Sequence, residues 1–527
     1  MSLARKLVAF VFVINSTVGF AQNAPTGSST SKAQVVFHLN SEPTSLDPHI
    51  QKSSAAGYAL DNLYRNLLKL TPSGELKPDL AESCQRDFDK KTKQHQITCK
   101  LKANLRWSDG TEIQAKHFLA SYQRILDSKT QSRRADLFFS ILNAKKYYEA
   151  GIDSKGDFRS GEIIDFNSVG IKELDSRTIR FILEEKNPEF EFSLIGFNTA
   201  PLLSAQTAGK VFSGPYTLLE WKKNEFIHLK PNQFWLSNHQ NLPEVKFLFI
   251  PDDSVAVKLY QRNQLHFLRR LPTHLIPQYE KSVEFHSLPI FRFDYLGFGE
   301  LLKDDFHLRK ALALSLPYNE VTLLFSSKGI FGCAGLPESF FSGKPPCYSY
   351  DLAAAKEALA KSSWPRSKPL RFIFSSQGGD DHQKLATWLQ IQWKKNLGLR
   401  LDIQSVESKI YFSKLKNEQQ FLFRRGVAPD RLSCGAALEI FRQNDSENFL
   451  KHFEFKFEED LIRLTDLSGD ESKKLCTSLV NRLMDKYTLI PTGGFEFSIL
   501  AKSRLKGWTL NRLNHLDLST LEVNGFL

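Results

Sequence analysis

Short strand-like runs alternate with amphipathic helical stretches along almost the whole chain, and this alternation constrains the fold more than any other feature. Gln34-Val35-Val36-Phe37-His38-Leu39 reads as a strand. Ala55 to Leu70 reads as a helix, with Leu60, Leu63, Tyr64, Leu67 and Leu68 on one face. A second helix is expected from Thr111 to Leu126, after the turn Ser108-Asp109-Gly110, and a strand over Thr178–Leu183. Asp351 can cap a helix from Leu352 to Lys361. Leu385 to Leu397 forms another, stopped by Gly398, after which Leu399, Leu401 and Ile403 alternate as a strand. Such alternation builds α/β layers, and 527 residues give room for two or three domains. No short internal repeat interrupts the pattern.

The N-terminus sets the compartment. A short basic region, Met1 to Lys6, precedes the mostly apolar Leu7 to Phe20, and Gly19-Phe20-Ala21 places small residues at −3 and −1 of a cleavage point after Ala21. This reads as a secretory signal peptide over residues 1–21, too short for a membrane span. The small, polar residues 22–32 read as a tether, and without a Cys near the cleavage point no lipid anchor is expected. The formal charge of +12 suits anionic partners, but the basic residues are spread along the chain rather than gathered in a nucleic-acid stripe, so no nucleic acid is expected.

Six cysteines in an exported chain are candidate disulfides, although six allow fifteen complete pairings. Cys84 and Cys99 flank a polar stretch that reads as a hairpin, and alternation with Ile97 and Leu101 points Cys99 inward. Cys333 and Cys347 bracket a Pro/Gly-rich loop. Cys476 lies on a helix with Leu475, Leu479, Val480, Leu483 and Met484, leaving Cys434 as its candidate partner; free buried thiols are the alternative. The chain has neither G-x-S-x-G nor H-E-x-x-H, and its thirteen histidines include no close pair at metal-ligand spacing, which argues against a secreted hydrolase.

Several segments, in order, resemble the family-5 extracellular solute-binding proteins, which include oligopeptide-, dipeptide- and nickel-binding receptors. Lys77-Pro78-Asp79-Leu80-Ala81-Glu82-Ser83 matches "kPdLAeS", and Leu105 to Thr111 matches "vkWsDGt". Ser213 to Leu218 with Trp221 matches "GtGPYkl…w", Leu229 to Trp235 resembles "l.rNpdYw", Asp305 to Leu312 matches "d.rvRkAl", and Leu389 to Leu401 resembles "lq..lkkiGi.v". The resemblance implies an α/β, two-lobed periplasmic-binding-protein fold of type II that closes on its ligand about a hinge. Lobe I is expected over 33–70, 196–288 and 491–527, an extra subdomain over 71–195 and lobe II over 289–490. It also implies a monomeric, non-enzymatic receptor for peptides or another small solute, without cofactor or metal, serving the membrane permease of an ABC importer. A nickel- or haem-binding member and a periplasmic sensory receptor are the rival readings.

The same resemblance suggests site residues. The family has Trp and Phe where this chain has Cys84 and Cys99, so a packed cross-strand pair would become a covalent one. Arg424-Arg425-Gly426-Val427-Ala428-Pro429-Asp430 aligns with "R.GW.aDy", which puts the role of ammonium partner on Asp430 and of carboxylate partner on Arg424. Opposite charges suit the two ends of an enclosed peptide, because an unpaired buried charge is expensive. Val427 replaces the family Trp, Gly299 stands at the usual Asn of "l.fN", and Leu316-Pro317-Tyr318 replaces "aiDR", so a non-standard ligand is one consequence. The loop around Glu42-Pro43-Thr44-Ser45 resembles "sEp.sLDPh"; Glu42, Thr44 and Ser45 are expected to lend backbone hydrogen bonds to an extended ligand.

Overall fold

The computed structural model describes residues 34–51, 56–132, 134–151, 164–235, 241–320, 333–376, 380–418, 421–443, 445, 447–493 and 496–525. The expected signal peptide and tether lie outside them.

Three sheets organise the chain. The first has seven strands in the order Phe285–Pro289, Glu496–Ala501, Phe267–Leu268, Gln34–Leu39, Glu244–Phe249, Phe226–Pro231 and Tyr216–Lys222. Gln34–Leu39 runs parallel to both neighbours, and its Val35, Phe37 and Leu39 are buried in one apolar cluster with Phe247 and Phe267. The second sheet orders Leu401–Val406, Leu370–Ser375, Leu422–Val427, Phe293–Phe298 and Leu489–Gly493. The first three of these strands are parallel, and Phe293–Phe298 lies antiparallel between Leu422–Val427 and Leu489–Gly493. Separate apolar clusters cover the two faces of this sheet, which is why Phe293–Phe298 is buried throughout. The third sheet is antiparallel, with four strands between Ala81 and Leu183, packed with the helix Ala115–Leu126. The strands of the first sheet come from residues 34–39, 216–289 and 496–501, those of the second from 293–493 and those of the third from 81–183. The expected boundary at 491 lies inside the strand Leu489–Gly493, so the chain leaves the second sheet beyond Gly493.

All three cysteine pairs are bonded: Cys84–Cys99, Cys333–Cys347 and Cys434–Cys476. Cys84 and Cys99 are direct partners across the hairpin of Ala81–Asp89 and Gln94–Leu101, with Cys99 fully buried. Two helix expectations shift. The stretch expected as a helix from Ala55 to Leu70 yields a helix only over Gly57–Leu63, then a strand Leu68–Leu70. Tertiary partners outweigh the apolar period: the Arg65 N–H donates to Ser213 Oγ at 2.9 Å, and the Arg65 guanidinium meets Asp79 and Asp517. The next helix starts at Ala115 rather than Thr111, because Gln114 caps it reciprocally with His117.

Candidate functional site

The first and second sheets and the subdomain meet along a polar seam. Asn40 and Arg269 follow the two parallel strands Gln34–Leu39 and Phe267–Leu268, and ligands of α/β sheets bind beyond such carboxyl ends. From there Thr273 donates its hydroxyl to Asp381 at the start of the helix Asp380–Leu397, and the Phe291 N–H donates to Arg512 O at 2.8 Å. These contacts tie the first lobe to the second.

Glu42, Thr44 and Ser45 lie in the loop that leaves Asn40. Their side chains serve the loop itself. The Glu42 carboxylate accepts from Trp221 Nε1 at 2.8 Å and Asn224 N at 3.2 Å. Thr44 Oγ1 donates to Gln51 at 3.1 Å, and Ser45 Oγ accepts from Asp47 N at 3.0 Å. Asp47 in turn pairs with Arg124 of the subdomain at 2.7 Å. Among the described residues, the backbone N–H groups of Glu42, Thr44 and Ser45 donate to no protein acceptor. The loop is therefore anchored by side chains while these three donors stay available.

Across the seam, Arg424 occupies the middle of the strand Leu422–Val427, opposite Leu296. Its guanidinium donates to Asp294 Oδ1 at 2.6 Å, and Arg292 Nε meets Asp294 Oδ2 at 2.8 Å. Asp294 is 0% exposed and the Arg424 side chain 4%. Burial pushes the Arg424 guanidinium down to about 10, against the pull of Asp294. Gly426 is required here, since a Cβ would lie 2.1 Å from the Arg292 guanidinium and 2.2 Å from the Asp294 carboxylate. His382, on the first turn of its helix, bonds Ser375 O through Nδ1 at 3.0 Å. Burial, then Arg424, Arg292 and Arg270, holds its imidazole well below the usual range and therefore neutral.

Asp430 lies where the second lobe touches the subdomain. Its carboxylate is paired with Arg134, and Arg431 Nε stands 3.6 Å away. Burial pushes the Asp430 carboxyl up, but the two guanidiniums outweigh it and hold the group below the ordinary carboxylate range. Arg431 also meets Glu189 of the subdomain at 3.1 Å and Glu439 of its own lobe, and Leu432 packs on the subdomain core. Val427 is half-buried against the second lobe's core. Gly299 closes the far end of Phe293–Phe298, donating its N–H to Phe421 O at 3.0 Å. Five residues of strand at roughly 3.3 Å each separate it from Asp294, so the structure does not bring Gly299 into the charged cluster.

Arg424 thus shares a buried cluster with Arg292 and Asp294, Asp430 sits with Arg134 and Arg431 where the second lobe touches the subdomain, and the Glu42–Ser45 loop follows Asn40; Arg134, Arg269, Arg292, Asp294 and His382 are candidates the sequence did not suggest. Only the alternation in Arg292-Phe293-Asp294 hinted at a charged strand face. Arg134 is 296 residues from Asp430, and no local pattern connects them.

The family model for bacterial extracellular solute-binding proteins, family 5 (middle region), matches residues 75–448, well over half of the chain. The oligopeptide-binding protein OppA of Bacillus subtilis is 24% identical over 96% of each chain. The periplasmic murein peptide-binding protein MppA of Escherichia coli is 23% identical over 95% of each. Among solved structures, the E. coli murein tripeptide binding protein MppA superposes with a TM-score of 0.80, covering 93% of this chain and 98% of its own at 22% identity. Haemophilus influenzae OppA in complex with RPPGFSPFR gives 0.78, covering 93% and 99% at 19% identity. With its sheets, seam and family match in agreement, the chain belongs to the family-5 bacterial extracellular solute-binding proteins.

Proposed function

We propose that this protein is the solute-binding subunit of an ABC importer, that its solute is a short peptide, and that it binds by closure of the two lobes without chemical change to the ligand. The observation that carries this reading is the end-to-end correspondence with receptors named for peptides, including one structure that holds a nonapeptide. The site supports it physically. An extended peptide has a row of carbonyl oxygens, and the free N–H groups of Glu42, Thr44 and Ser45 offer that backbone an added-strand partner. A peptide's ends need opposite charges, which Arg424 and Asp430 provide on one lobe. Both are engaged without ligand, so an α-ammonium reaches Asp430 by displacing Arg134. Closure of this kind selects among existing lobe arrangements, and the ligand favours the closed one.

The protein acts outside the cytoplasmic membrane in this reading, with residues 1–21 removed after Ala21, no lipid anchor, and a membrane permease as its partner. No helix among the described residues is long and apolar enough to cross a membrane. Calorimetric titration with tri- and tetrapeptides, followed by chromatographic recovery, tests the function: saturable binding and intact peptide are expected. Cleavage by pure protein, abolished by one side-chain change in the seam, would replace the receptor with a hydrolase. N-terminal sequencing of exported protein is expected to begin at Gln22.

A further inference from the structure

Among the described residues, Arg269 is a buried cation without a counterion. Its residue exposure is 8%. The guanidinium donates to Asn40 Oδ1 at 2.7 Å and lies 4.9 Å from the Tyr58 ring centre and 5.5 Å from that of Phe497. These partners are all neutral, and Nε has no acceptor. Among the described residues no carboxylate stands within ion-pairing reach. The acids nearby are committed elsewhere: Asp253 to Arg270, and Asp61 to the Leu516 N–H and the His515 ring. Of the other buried guanidiniums, Arg65 pairs with Asp79 and Asp517 and Arg424 with Asp294, while Arg309, which also lacks a carboxylate at ion-pairing distance, is satisfied by four backbone carbonyls, those of Leu302, Lys303, Lys486 and Tyr487, which Arg269 is not. A buried charge is tolerated when paired, so an unpaired one placed at a binding seam points to a partner that arrives from outside.

The position fits that partner being the ligand. Arg269 sits beside Asn40 at the carboxyl ends of two parallel strands, next to the loop whose N–H groups at Glu42, Thr44 and Ser45 are undonated, and four residues before Thr273, which touches the second lobe. Two aromatic rings pack near the guanidinium, whose fork of N–H groups suits a planar carboxylate met through two parallel hydrogen bonds. We propose that Arg269 receives a carboxylate of the bound solute and thereby selects for acidic ligands; this rests on the peptide reading only in the choice of ligand.

The test pairs acids with their neutral carboxamides in thermal-shift and calorimetric titrations. Probes are Ala-Glu-Ala against Ala-Gln-Ala, Ala-Ala-Ala against its C-terminal amide, and hexanoate against hexanamide. The parent is expected to bind at least one acid about tenfold or more tightly than its amide. Arg269→Met should reduce that preference to under about twofold, and Arg269→Lys should restore part of it. Ligand-free Arg269→Met should melt no lower than the parent, because it removes an uncompensated charge; a drop of several degrees would make Arg269 structural and end the proposal. Survival in Arg269→Met of every acid preference that the parent shows, or the lack of any in the parent, would also overturn it. If only the non-peptide acid binds and Arg269→Met loses it, the assignment of Arg269 stands and the peptide reading falls.

Discussion

Asp294→Asn should be among the most damaging single substitutions in the second lobe. The change keeps the side chain's shape and removes the charge that Arg424 and Arg292 share, at 2.6 and 2.8 Å, in a site where Asp294 is 0% exposed. Breaking a buried pair by neutralising one partner costs about 3–5 kcal/mol, because the remaining guanidinium stays buried. Unfolding entropy of about 2 cal/mol/K per residue gives roughly 1 kcal/mol per kelvin for a chain of this size, so Tm should fall by about 3–5 °C if the chain melts in one transition. The fall should be roughly double if the second lobe melts alone. Urea unfolding and calorimetry of parent, Asp294→Asn, Arg424→Met and the double variant form a cycle. The double variant should be more stable than Asp294→Asn, since Met removes the stranded charge. A single-variant loss under about 0.5 kcal/mol, or a double variant worse than the sum, would refute the shared-carboxylate account.

Three further outcomes follow from the same geometry. His38 and His49 are buried, with Nε2 bonded to Ile250 O at 2.8 Å and Ala200 O at 2.9 Å, and burial pushes both imidazoles from 6.5 down to about 4. Between those values the unfolded chain binds more protons, so stability is full above pH 6.5 and falls toward pH 4, by up to about 1.4 kcal/mol per pH unit for each; a urea midpoint unchanged from pH 7.5 to 5 would contradict this. Replacing Cys84 and Cys99 by Ser should cost about 3 kcal/mol for a 15-residue separation, read by urea unfolding, and non-reducing peptide maps should show both cysteines bonded in the parent. Asp430→Ala should weaken binding of free-amino peptides about a hundredfold or more, whereas Arg134→Ala should raise the preference for free-amino over N-acetylated peptides; equal titrations of parent and Asp430→Ala would assign that carboxylate to lobe docking alone.

What could be read locally was legible in the sequence. The strand Gln34–Leu39 has the residues expected of it, the strand Thr178–Leu183 likewise, and Asp351 caps its helix through Ala354 N at 2.9 Å. The hairpin between Cys84 and Cys99 was visible because alternation and turn composition lie within one short stretch. The helix expected to continue to Leu70 failed because Arg65 and Asn66 find partners far along the chain, at Ser213, Thr199 and Asp517. The seam was only half legible for the same reason. A motif suggests Arg424 and Asp430, but their partners Asp294 and Arg134 lie 130 and 296 residues away. Arg269 carried no signal, because nothing in Leu268-Arg269-Arg270 reveals that folding buries the first arginine without an acid and pairs the second with Asp253.

The central claim is that this protein carries peptides. Protein taken from its native envelope, denatured to release whatever the seam holds and read by mass spectrometry, tests it most directly. Short peptides are expected, intact and at up to one per protein molecule. A non-peptide solute as the sole stoichiometric cargo would contradict it.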